Sequence, residues 1–291
     1  NSNNQMIGAA YSYDDGVYRL IVFDEKLDIL TATPFSEVVP GSFGGGYFML
    51  DKDDNAILVG YNRIKAFPTS NVEVRNETYE LEPLWVSKDI VELVTGVSGN
   101  NSLYATMPIW DLDNTRPNTF WCLLAGAVTF DDDGRATVTG NAHMALVKIV
   151  PDPNEPDGCR TILIDALELG QQWNNNTFAV DENGAYFVTN ALNDAGVFDS
   201  GYLYALGFDE NTQTITTRWQ YKYKNSGVLK VGMHNIGSGT TPTLMMDDFG
   251  KKLLAIGDNA LPRMHVDVVN YDDGAQVDSV EVFTPMRSAD E

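Results

Sequence analysis

The chain lacks any long apolar run: the longest candidate, Trp121 to Phe130, spans about half the roughly 20 residues that a membrane-spanning helix needs. It is also poor in basic residues. Lys and Arg number 19 against 41 Asp and Glu, a formal net charge of -22 over 291 residues, so a phosphate backbone is repelled and nucleic acid is excluded as the expected partner. Cysteine is nearly absent. Cys122 and Cys159 are separated by a spacing that fits no CxxC metal or redox pattern. They are either one disulfide, in an exported protein, or two separate buried thiols, in a cytosolic one. Histidine is scarce too: His143, His234 and His265 are too scattered for an HExxH-type zinc motif, although an all-β architecture with a central axis could still gather them. No GxSxG elbow occurs, and Gly237-Ser238-Gly239 lacks the following Lys of a phosphate loop, so serine hydrolysis and nucleotide binding are unsupported.

What is present is repetition. An apolar or aromatic residue followed by an Asp-rich turn begins at Tyr13, Phe23, Leu50, Phe130, Val180, Phe208, Met246 and Tyr271, each time leading into strand material such as Ala185-Tyr186-Phe187-Val188 or Leu253-Leu254-Ala255-Ile256. Asp, Asn and Gly suit such places because a tight hairpin needs positive φ or an Asx turn. The turns come in pairs, Asp181 with Asp209 and Asp247 with Asp272, and two hairpins make one four-stranded sheet. Sheets recurring in this way predict an all-β chain, a β-propeller of four-stranded antiparallel blades in one domain over residues 1–291. About six blades or more are expected, with the set incomplete in this chain so that a further chain or segment completes it. Residues 87–97 and 164–172 fit either short helices or blade strands. Residues 151–158, rich in Pro and Asp, form a loop insertion.

Gly201-Tyr202-Leu203-Tyr204-Ala205-Leu206-Gly207-Phe208, followed by Thr214 to Tyr221 with its Trp219, resembles the repeat of pyrroloquinoline-quinone (PQQ)-type propellers. Gly237 to Met245, with Leu254 to Pro262, is similar to a signature of exported bacterial proteins in the quinoprotein alcohol dehydrogenase-like superfamily, and Ala179 to Tyr186 fits the same group. The resemblance covers residues 175 to 285 best. It implies a secreted or periplasmic location and, from that, a Cys122–Cys159 bridge. It does not carry the quinone chemistry across, because quinone-dependent members use adjacent cysteines and Cys122 and Cys159 are not adjacent. PQQ is therefore disfavoured, while calcium stays open as a cofactor. The polar N-terminus, Asn1 to Gln5, reads as a mature or trimmed end, and the sequons at Asn76, Asn100 and Asn175 are of the kind an Asn-rich chain produces by chance.

Two places resemble calcium loops. Asp51-Lys52-Asp53-Asp54-Asn55 alternates its oxygens suitably, but Ala56 stands where such a loop needs Gly and Asn62 where it needs Glu, so a hairpin turn is the better reading. Asp111-Leu112-Asp113-Asn114, after Trp110, is read as an Asx-type turn in the same way. The five tryptophans, Trp85, Trp110, Trp121, Trp173 and Trp219, are expected to lock blades together, with stacking on sugars or peptides as the alternative.

The expected function is a binding or assembly platform for a protein or small-molecule ligand, without a recognisable catalytic set. The alternative is a quinoprotein-like oxidoreductase or a calcium-assisted hydrolase with its site on the propeller axis. Candidate ligand-binding residues are His234, Ser238, Thr240, Thr241, Asp258, Asn259 and Arg263. Small residues there let the backbone approach closely, and a cation, an imidazole (His265) and a carboxylate follow within one strand's length.

Overall fold

The computed structural model describes residues 4–37, 47–70, 72–73, 79–130, 136–174, 176–193, 195–228 and 236–282. Strands fill five antiparallel sheets in chain order. The first holds β1 (Met6–Ser12), β2 (Val17–Phe23) and β3 (Ile29–Glu37), and the second β4 (Met49–Leu50), β5 (Ala56–Gly60), β6 (Arg63–Phe67) and β7 (Trp85–Val86). A short helix, α1 (Ile90–Thr95), leads into the third: β8 (Leu103–Ala105), β9 (Ile109–Trp110), β10 (Thr119–Phe130), β11 (Ala136–Thr139), β12 (Ala142–Pro151) and β13 (Cys159–Gly170). The fourth holds β14 (Gln172–Trp173), β15 (Ala179–Asp181), β16 (Gly184–Leu192), β17 (Phe198–Asp209) and β18 (Thr214–Lys224). The fifth holds β19 (Thr243–Met246), β20 (Lys252–Gly257), β21 (His265–Asn270) and β22 (Gln276–Glu281).

The two-residue period of a strand explains how these sheets stack. In β10, Phe120, Cys122 and Leu124 pack with Ile57, Val59 and Ile64 of the second sheet, while Trp121 and Leu123 pack with Ala185, Phe187 and Leu206 of the fourth. In β16 the alternation repeats: Ala185 and Phe187 meet the third sheet, Tyr186 and Val188 meet Leu254, Ile256 and Val269 of the fifth. Leu20 and Phe35 likewise join the first sheet to Ala56, Leu58 and Phe67 of the second. Both faces of each inner sheet are thus buried, which is why these strands read as nearly unbroken apolar runs. Four-stranded antiparallel meanders, each packed face to face on the next in sequence, form the blade arrangement of a β-propeller. Among the described residues there are five sheets, four of them built on a four-strand meander and the first on three strands, fewer than the expected six or more blades, and no strand pairing joins the first to the fifth.

The Asp-rich turns sit where expected. Asp51, Asp209 and Asp247 each accept the backbone N–H two residues on, at 2.9, 2.8 and 2.9 Å, and Asp247 also takes that of Lys251 at 2.8 Å. Those backbone bonds hold the Asp209 carboxyl below the usual carboxylate range. The turn at residues 131–135 lies outside the described residues, as do the whole Asn76 sequon and Asn175. Of the two ambiguous segments, 87–97 carries the helix, N-capped by Asp89 and ended by Gly96 at φ 71, whereas 164–172 is strand.

The bridge implied by the resemblance is not formed. Cys122 and Cys159 are both free and buried. They flank β12, Cys122 opposite Ala145 and Cys159 opposite Pro151. Six residues of strand separate those positions, about 20 Å at 3.3 Å per residue, whereas a disulfide needs Cα atoms within about 7 Å. Burial pushes both thiols up in pKa, Cys122 the more deeply enclosed.

Candidate functional site

A cleft of about 880 Å³ opens between the second and third sheets, where the β4–β5 turn and β7 face the end of β9, the start of β10 and the 151–158 insertion. Its floor is aromatic. Trp110 stacks on the fully buried Phe120 with centroids 4.0 Å apart and planes at 26°, and Trp85 meets the same ring edge-on at 6.4 Å and 62°. Both tryptophans are half-buried, and Leu84 and Leu112 stand exposed at the rim. Ile149 closes the floor, and Gly158 packs against the Trp85 backbone so closely that an added Cβ would lie 2.6 Å from the Leu84 carbonyl. The insertion is fastened there by the Val86 N–H, which donates to the Asp157 carbonyl at 2.8 Å.

The five tryptophans divide into two groups. Trp121 donates its indole N–H to Asp111 at 3.2 Å, Trp173 to the Tyr104 hydroxyl at 3.1 Å and Trp219 to the Tyr271 carbonyl at 2.8 Å. These three are locks in the sense expected, Trp121 and Trp219 packing between successive sheets. Among the described residues the indole N–H groups of Trp85 and Trp110 have no partner, and neither do the side-chain amides of Asn114 and Asn118 in the same cleft. Four sets of donors therefore border the cleft with no acceptor among the described residues.

The carboxylates of the cleft are partly engaged. Asp51 binds the N–H groups of Asp53 and Asn55 through Oδ1 and the Asn55 amide through Oδ2 at 2.8 Å, while the neighbouring Lys52 ammonium pairs with Asp53 at 2.8 Å. Asp152 accepts from the Asn154 backbone and amide, both at 3.0 Å, with Arg160 at 3.7 Å; the Asn154 N–H is the main reason its carboxyl sits below the ordinary range. Asp111 is different, 1% exposed and paired with Arg116, which also reaches Asp113 and Glu210 of the fourth sheet and lies 4.9 Å over the Phe208 ring. The Asp51 and Asp111 segments are thus Asx-type turns, and among the described residues no three His, Cys, Asp or Glu side chains are placed to share an ion.

The residues singled out from sequence lie elsewhere, at the junction of the fourth and fifth sheets. Asp258, 1% exposed, accepts the His265 backbone N–H at 2.5 Å, lies 3.1 Å from its Nδ1, and takes the Ala260 N–H at 3.2 Å. Ser238 and Thr240 pair through their hydroxyls at 2.9 Å, and Thr240 receives the Gly257 N–H at 3.1 Å. Asn259 is wholly buried and donates to Asn225 at 3.1 Å and the Val228 carbonyl at 3.2 Å, leaving its own Oδ1 and the Asn225 Nδ2 without partners among the described residues. Arg263 turns to Glu281, and Thr241 is half-buried. His234 lies outside the described residues. The imidazole and the carboxylate do converge, but the cation does not join them, and the side chains nearest the tight Gly237 backbone are the Asn190 and Asn225 amides. His143 is in the third sheet, 2.7 Å from the Asn141 carbonyl and 3.8 Å from Glu168, so it is not gathered with His265.

No protein-family model matches the chain, and no curated protein matches it in sequence. Among solved structures it is similar to "Dihydro-heme d1 dehydrogenase NirN in complex with DHE" over 98% of this chain and 55% of that one, with 11% identity and a TM-score of 0.36. The chain thus spans about half the length of that protein. At that score the likeness is weak, and the ligand in that title stays a property of that protein.

Proposed function

We propose that this chain is a non-catalytic, exported propeller module, a single domain that binds its ligand in the cleft between the second and third sheets. The observation that carries this reading is the pair of half-buried tryptophans, Trp85 and Trp110, whose indole N–H groups have no partner among the described residues in a cleft of about 880 Å³. A tryptophan in a core normally satisfies its N–H, as the other three do. The cleft's volume lies in the range of about 300 to 1,000 Å³ of ligand sites, and its mixture of aromatic floor and few polar groups is their usual composition. The acidic surface favours solubility and repels polyanions, in keeping with export.

The polar cluster at Ser238, Thr240, Asp258 and Asn259 supports a structural role, because each of these side chains hydrogen-bonds to protein. Soaking crystals with a chemically mixed fragment library tests the assignment. Occupied fragments are expected to concentrate against Trp110 and Trp85. Fragments that avoid this cleft and gather around Asp258 and His265 would overturn it.

A further inference from the structure

Resting on the binding reading above, we infer that the cleft takes a neutral carbohydrate, with a pyranose ring lying on the Trp110 face. An indole face attracts the weakly positive C–H face of a sugar, and Trp110 is held rigid for this by its 4.0 Å stack on Phe120. The unpartnered groups of the cleft then define the rest of the ligand. The indole N–H groups of Trp85 and Trp110 donate, as do the amides of Asn114 and Asn118, so the ligand must present acceptors. A quaternary ammonium has none. A purely apolar ligand would strip water from these donors and replace it with nothing.

The ligand must also offer donors, because the Asp51 carboxylate borders the same space. Hydroxyl groups meet both demands, since each is donor and acceptor at once. Charge complementarity narrows the choice further. A chain of net charge -22 repels sulfated or uronic-acid polymers, whereas a neutral glycan meets no such barrier. The cleft's volume of about 880 Å³, lined from the β4–β5 turn, β9 and the 151–158 insertion, is large for a single ring, so a short oligosaccharide suits it better than a monosaccharide.

The test is titration of the intact chain, its tryptophan side chains labelled with nitrogen-15, with neutral gluco-, manno-, xylo- and galacto-oligosaccharides. Tetramethylammonium chloride and a proline-rich peptide run in parallel. At least one oligosaccharide series is expected to bind saturably and to move the Trp85 and Trp110 indole signals while leaving Trp121, Trp173 and Trp219 in place. Trp110→Ala is expected to weaken that binding at least about tenfold. Trp110→Phe, which keeps a ring on Phe120 but loses the N–H, and Asn114→Ala, on an exposed loop, should each weaken it about two- to tenfold with the fold intact. Stronger binding of tetramethylammonium or the peptide than of any sugar would overturn the carbohydrate assignment. If fragments enter the cleft yet no oligosaccharide shifts its signals, the sugar inference falls and the binding reading stands; if neither enters, both fall.

Discussion

Replacing Asp111 by Ala is expected to lower folding stability by about 2 to 4 kcal/mol, because it orphans a buried indole N–H and takes the most buried of three carboxylates from Arg116. The Asp111 side chain is 1% exposed and that of its partner Arg116 only 10%, so the deletion leaves the guanidinium to Asp113 and Glu210 with little help from water. The same deletion orphans the Trp121 indole N–H, which Asp111 receives at 3.2 Å inside the cluster joining the third and fourth sheets. Arg116 also holds Glu210 across that junction, so its displacement loosens two sheets rather than one. Asp111→Asn keeps the shape and a carbonyl for the indole while losing the charge, and should cost about half as much. Denaturant midpoints at constant slope would measure both. Losses below about 1 kcal/mol for both variants would mean that the pair is not the junction described here.

The second large effect concerns Gly184, at the tip of the β15–β16 hairpin. Its φ of 135° belongs to a region that only glycine occupies freely, and an added Cβ would lie 1.9 Å from the Leu206 carbonyl oxygen on β17. A backbone oxygen within a paired strand cannot swing away as a side chain can. Gly184→Ala is therefore expected to cost about 3 to 5 kcal/mol, combining backbone strain with overpacking. Gly250→Ala supplies the contrast. That glycine has φ 81° in an exposed turn with nothing within 4 Å of its Cβ position, so only the conformational cost of about 1 kcal/mol remains. Equal melting temperatures for the two variants would contradict the close β16–β17 approach.

How legible these features were depends on the range of the interaction that makes them. Asp51, Asp209 and Asp247 could be read as turns because each bonds a backbone N–H two residues away, a contact written entirely in local sequence. The apolar run that becomes β10 was visible as a run, but its alternate burial against the second and fourth sheets came only from the strand pairing. The cysteines were not legible. Whether Cys122 meets Cys159 depends on the stagger of β13 against β12, which puts them at opposite ends of one sheet, and nothing near either residue encodes that stagger.

The tryptophans show the same limit. All five lie on or beside strands, and what separates Trp121 from Trp110 is whether an acceptor on another segment reaches the indole. Asp258 and His265 were rightly seen as close. Their burial, and the turning of Arg263 to Glu281, follow from how β20, β21 and β22 pair. The cleft itself was invisible in sequence, although the 151–158 insertion that walls it was recognised as a loop, because its lining comes from four separate stretches of chain.

The central claim is that Trp85 and Trp110 form a ligand-facing pair while the other three tryptophans are structural. Hydrogen exchange at the five indole N–H groups, assigned with single Trp→Phe variants and followed by NMR without ligand, tests it most directly. Trp121, Trp173 and Trp219 should exchange slowly, their N–H groups being held by Asp111, Tyr104 and Tyr271. Trp85 and Trp110 should exchange rapidly, at rates near those of an open indole. Protection of Trp85 and Trp110 equal to that of the other three would place acceptors against both rings and contradict the account.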